Sequence, residues 1–236
     1  MATVTPMTLQ DVLDDIYVNV DDDPTSSTTV DDEQTARIRL VNSGIRTWER
    51  QDVYWRELWT LYTHGSTLSG TKTYPISATD FLQPGSLLYL TDSASNVSFI
   101  DMISPEQAIK YTQNGPQQAA FITGNPSSGW TLNLTWTPVS GDGTFGLTPS
   151  FYYYKSANRV SATTDTPEML DPNYLVWYVT AQKHLFNGRT DMAQDAMAQA
   201  QDCIDNMRIK NELMVNYGDN SLEDVELFRE NDSFGY

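Results

Sequence analysis

Residues 54–164 never sustain a helical period. Glycine, proline and serine cut this stretch into short segments rich in β-branched and aromatic side chains, whereas on both sides of it apolar residues return at helical spacing. Strands gathered in one block and helices kept outside it point to an α+β fold, not to an alternating parallel one. We read strands near 55–63, 71–76, 86–92, 97–103, 118–123, 130–137 and 147–154. Thr131 to Trp136 alternate apolar with polar, so one face should be buried and the other wet. Gly141-Asp142-Gly143 reads as a turn between two of the longest strands.

The helical segments carry their own start signals. Thr8 can cap a helix over 9–18, with Asp11 in its first turn and Val12, Leu13, Ile16 and Tyr17 as the buried stripe. A second helix is expected over 32–50, where Ile38, Val41, Ile45 and Trp48 share a face. Ser104-Pro105-Glu106 should open a short helix through Tyr111. Asp171-Pro172 reads as an N-cap followed by proline, and Asn187-Gly188 as the stop. Within that helix Tyr174, Tyr178, Ala181 and Leu185 line one face, widened by Leu175, Val179 and Phe186. Thr190 then caps a long helix to about Tyr217. Its small residues Ala193, Ala196 and Ala200 should allow close antiparallel packing against the helix before it.

The expected fold is therefore α+β: a helical bundle from 1–53 and 165–217, and an inserted antiparallel β-rich domain, sandwich or barrel-like, over 54–164. An acidic arm follows over 218–236.

Charge narrows the partners. Asp and Glu number 31 against 14 Lys and Arg, for a formal net charge of −17. Phosphate neutralisation needs clustered cations, so a general nucleic-acid binder and an anionic membrane surface are both disfavoured. No apolar run reaches membrane-spanning length, and the N-terminal segment has neither a basic nor an apolar signal region, so an intracellular product is expected.

A search for chemistry yields no constellation, so no enzyme, metal site or cofactor is expected. His64 and His184 have no partner at metal-ligand spacing, and Cys203, the sole cysteine, sits on an apolar helical stripe. Asp21, Asp23, Thr25 and Asp32 approximate a calcium-loop register, but Ser26 stands where the turn requires glycine; a solvated linker is the reading. Trp130, Trp136 and Tyr152-Tyr153-Tyr154 could form a sugar-stacking platform, which keeps a β-sandwich carbohydrate- or receptor-binding protein as the alternative function.

Several segments resemble a known family in their order. Asn42-Ser43-Gly44-Ile45-Arg46-Thr47-Trp48 closing a helix ahead of an aromatic strand is similar to the entry of tailed-phage head-to-tail connector adaptors. So are 73–82 (TYPISATDFL), the paired strands of 129–154, and 165–185, which resembles the closing "D-x-P … Y-x-x-A" helix. The resemblance implies a non-enzymatic virion protein, assembled in the host cytoplasm. It would form a ring of about twelve copies under the portal, extend the DNA channel without binding DNA specifically, and offer a platform to the next neck or tail-completion protein. It also implies that the C-terminal arm reaches into the portal. Leu222, Val225, Leu227, Phe228, Phe234 and Tyr236 have no local apolar partner and are the candidate contacts.

Overall fold

The computed structural model describes residues 6–20, 32–51, 53–113 and 118–218. The chain is mixed α and β, and its sheets are antiparallel. It divides into two compact units, one made of residues 1–57 with 157–236 and the other of 58–156.

In the helical unit, α1 (Leu9–Val20) begins where expected because Thr8 and Asp11 close a reciprocal cap. The Thr8 N–H and hydroxyl both donate to Asp11 Oδ2, at 2.8 and 2.7 Å, and the Asp11 N–H returns to Thr8 Oγ1 at 3.3 Å. Two further N–H groups of the first turn, those of Leu9 and Gln10, donate to the carbonyls of Asp165 and Thr163 at 2.7 and 3.0 Å. Leu9, Val12, Leu13, Ile16 and Val20 are buried.

Helix α2 (Asp32–Glu49) buries Val41, Ile45 and Trp48 as its period requires, while Ile38 is only partly covered. It also buries Arg37 completely: position 37 stands four residues before Val41, on the inner face, but holds a charge where an apolar residue is the rule. The guanidinium lies 3.5 Å from the centre of the Tyr17 ring and donates to Glu33 at 2.8 Å, so a π face and a carboxylate replace part of its hydration. Trp48 stacks on Trp55 at 5.3 Å, and the Trp55 indole N–H donates to the Trp48 carbonyl, which seals the C-terminal end of α2.

Helix α4 (Asn173–Phe186) is the centre of this unit, packing against α1, α2 and α5 (Thr190–Gly218). It starts two residues after Asp171, whose carboxylate accepts the Asn173 N–H at 3.2 Å. Gly188 at φ +70° lets the chain reverse, and the N–H groups of Gly188 and Arg189 donate to the Leu185 and His184 carbonyls. Close approach of α2 to α4 depends on Gly44: a Cβ there would stand 2.9 Å from Leu175 Cδ2 and 3.0 Å from Tyr178 Cδ1.

The other unit holds β1 (Trp59–Thr63), β2 (Thr73–Ile76), β3 (Phe81–Thr91), β4 (Val97–Asp101), α3 (Pro105–Gln113), β5 (Ala120–Asn125), β6 (Gly129–Leu134) and β7 (Thr148–Lys155). A four-stranded sheet runs β1-β7-β3-β4 and a three-stranded sheet β2-β6-β5. One hydrophobic cluster draws on both: Tyr62, Phe81, Leu88, Ile100, Phe151 and Tyr153 from the first, Tyr74, Ile76, Leu132 and Leu134 from the second. Phe81 and Trp130 meet across it at 5.0 Å.

Two strand readings need correction. β3 starts at Phe81, not near 86, because Pro84-Gly85 does not break the strand. They sit in a register shift, where a Cβ on Gly85 would stand 2.9 Å from the Tyr152 carbonyl. The strand expected over 55–63 is β1 only from Trp59, because Arg56–Leu58 form a short 3-10 turn. Gly141-Asp142-Gly143 does lie between β6 and β7, which belong to different sheets.

Candidate interaction surfaces

The helix-packing residues divide. Ala193, Ala196 and Ala200 are buried on α5, and Tyr178 is half-buried. Leu185 is 49% exposed, which corrects its place on an inner stripe. The buried residues of α4 are Leu175, Val176, Val179, Thr180 and His184 together with Tyr174 and Ala181. Burial therefore runs around most of the helix, and Leu185 stands in its last turn, beside the reversal at Gly188. The candidate arm residues Leu222, Val225, Leu227, Phe228, Phe234 and Tyr236 lie outside the described residues, as do Asp21, Asp23 and Thr25 of the acidic loop.

The histidines and the cysteine take structural places. His64 bridges the Ser66 segment and the Pro75 carbonyl through its two ring nitrogens, at 3.1 Å each, and meets Tyr62 and Tyr74 edge-on. His184 is buried in α4, and its Nδ1 has no hydrogen-bond partner among the described residues. Burial pushes the Cys203 thiol up, away from a reactive thiolate. Among the described residues no three His, Cys, Asp or Glu side chains stand together as a metal site, and no helix is long and apolar enough to cross a membrane.

The aromatic residues resolve into two sets. Trp130 and Trp136 pack against the core, the Trp136 indole N–H donates to Thr144 Oγ1 at 3.0 Å, and Tyr153 and Tyr154 are buried. Tyr153 also donates to Asp80 Oδ1 at 2.8 Å; burial first, then that carboxylate, pushes its phenol upward. Of the group expected to form a sugar platform, only Tyr152 faces out. Strand pairing sets it beside Leu61, and its ring meets Tyr89, which in turn meets Phe99. Leu61, Tyr152, Tyr89 and Phe99 thus form an apolar band crossing all four strands, with Phe99 62% exposed. The rings meet at 81° and 74°, edge to face. A band of this kind suits contact with another protein. Sequence alternation could have placed Tyr152 and Tyr89 outward, but their adjacency depends on the β3–β7 register, which the irregular pairing near Pro84 conceals.

Comparison with known proteins adds no family: no family model matches the chain, and no curated protein matches it.

Proposed function

We propose that this chain is a structural virion protein, a head-to-tail adaptor of a tailed virus. It forms a ring beneath the portal, carries the DNA channel onward and joins the capsid to the neck or tail. In this reading the helical unit is a bundle into which the β-rich unit is inserted, and it is the bundle that meets the portal together with the C-terminal arm.

The observation that carries the reading is the apolar band Leu61–Tyr152–Tyr89–Phe99 on one sheet face, with Leu61, Tyr152 and Phe99 exposed. An exposed apolar band of this kind usually marks a surface that meets another protein. The net charge of −17 agrees with a channel wall that lets DNA slide, since an acidic wall gains nothing from counterion release. The partners in this reading are the portal, the next neck or tail-completion protein and further copies of the chain. The protein is not an enzyme and carries no cofactor.

Deletion of residues 218–236 tests the arm. The truncated chain should melt almost as the full chain does and yet fail to co-sediment with portal rings. Full occupancy of portal by the truncated chain would transfer attachment to the helices.

A further inference from the structure

Helix α2 presents cations that nothing among the described residues neutralises. Arg39, Asn42, Arg46 and Arg159 line a cavity of about 380 Å³, and no acidic side chain lines it. Arg159 is already satisfied, donating to Glu49 at 2.6 Å. Arg39 and Arg46 are exposed, and among the described residues neither side chain has an ion pair or hydrogen bond. Their helical neighbours explain this. Positions three and four away from Arg39 hold Thr35, Ala36, Asn42 and Ser43; around Arg46 the one carboxylate is Glu49, which is occupied by Arg159 and the Ala157 N–H.

Helix α5 shows the converse. Asp195 and Asp202 are exposed, and among the described residues neither carboxylate has an ion pair or hydrogen bond. No cation stands three or four positions from either: Asp195 has Asp191, Met192, Ala198 and Gln199, and Asp202 has Ala198, Gln199, Asp205 and Asn206. Each pair is spaced seven residues, which is close to two helical turns or about 10.5 Å. Two arginines and two aspartates with no ion pair among the described residues therefore share one pitch on different helices of one chain.

We propose that α2 of one copy docks on α5 of the next, Arg39 and Arg46 receiving Asp195 and Asp202. Two different faces of the chain meet, so the contact is head-to-tail and propagates around a ring. The proposal rests on the reading of the chain as a homo-oligomeric ring and adds which faces meet. Arginine suits the role, since its planar fork pairs with a carboxylate through two parallel bonds.

Charge reversal in the full-length chain tests it, read by sedimentation velocity at low and high salt, with circular dichroism melting as the control for folding. Arg39→Glu with Arg46→Glu should weaken self-association at least about tenfold, and so should Asp195→Arg with Asp202→Arg. Mixing these two variants, or combining all four substitutions in one chain, should restore association, and added salt should weaken the wild-type contact. Either reversal associating as wild type does, or both weakening without restoration, overturns the pairing. So does a wild-type chain that stays monomeric at every concentration. Binding to portal is scored separately: a charge-reversed monomer that still binds portal leaves the adaptor reading intact, whereas a self-associating chain that ignores portal sinks that reading and keeps this one.

Discussion

Asn42 and Val160 exchange a pair of hydrogen bonds across 118 residues of sequence: the Asn42 amide donates to the Val160 carbonyl at 2.8 Å, and its oxygen accepts the Val160 N–H at 3.0 Å. Two turns further along α2, Glu49 accepts the Ala157 N–H at 3.1 Å through one carboxylate oxygen and Arg159 through the other. The polar edge of α2 thus holds the returning segment as a neighbouring strand would. That segment in turn supplies the carbonyls that complete the N-terminus of α1.

Asn42→Ala should therefore destabilise the helical unit by about 1–3 kcal/mol, since both backbone groups of buried Val160 lose their partner. Asn42→Asp keeps the acceptor but sets a carboxylate against the Val160 carbonyl, so it should not rescue. Chemical denaturation measures both; an Asn42→Ala midpoint equal to wild type would mean the segment is held elsewhere.

Helix spacing is the second expectation. Ala196→Leu or Ala200→Leu places a branched side chain at a buried position of α5 and should cost roughly 1–3 kcal/mol. Gly44→Val should cost a similar amount, because its Cβ meets Leu175 and Tyr178 at 2.9 and 3.0 Å. Thermal melts of the three variants check this, and unchanged melting temperatures would mean these contacts are not close-packed.

Acid should loosen one loop before the rest. The Asp142 carboxylate accepts from the N–H groups of Val139, Thr144 and Phe145 and from the Thr144 hydroxyl, and the Val139 bond leads in lowering its pKa from 3.8 to about 2. A pKa depressed by folding stabilises the folded loop above the unfolded value; that contribution is lost as pH falls from about 4 through about 2. Trp136 reports it, because its indole N–H bonds the same Thr144 hydroxyl. Its signal should change in that window and stay flat there in Asp142→Asn; a wild-type signal flat down to pH 2 would contradict the account.

Purified protein should hydrolyse neither nucleotides, glycosides nor esters above blank rates, and should not retard duplex DNA at physiological salt. The net charge of −17 gives no counterion-release gain. A dissociation constant for DNA near the micromolar range or tighter would overturn the channel-wall argument.

Much of the secondary structure was legible because the chain writes its boundaries in side chains. Thr8 with Asp11 starts α1, and Ser104 with Gln107 starts α3 through reciprocal bonds at 3.2 and 3.3 Å. Gly188 ends α4 through its left-handed φ. What stayed hidden was non-local. Spacing puts position 37 on the inner face with Val41, Ile45 and Trp48, but a charge is tolerated there because Tyr17, from another helix, supplies a π face. β3 runs through Pro84-Gly85 because β7 tolerates the irregular register, and Leu185 leaves the core because the chain reverses just beyond it. The apolar band across β1, β7, β3 and β4 followed the same rule: its members lie far apart in sequence, and only strand pairing makes them neighbours.

Electron microscopy of the full-length chain mixed with purified portal rings tests the adaptor reading most directly. The account predicts a continuous ring of added density on the tail-facing side of each portal, with one copy of this chain per portal subunit and an open axial channel. Portal rings left bare at concentrations where the chain is in excess would contradict it.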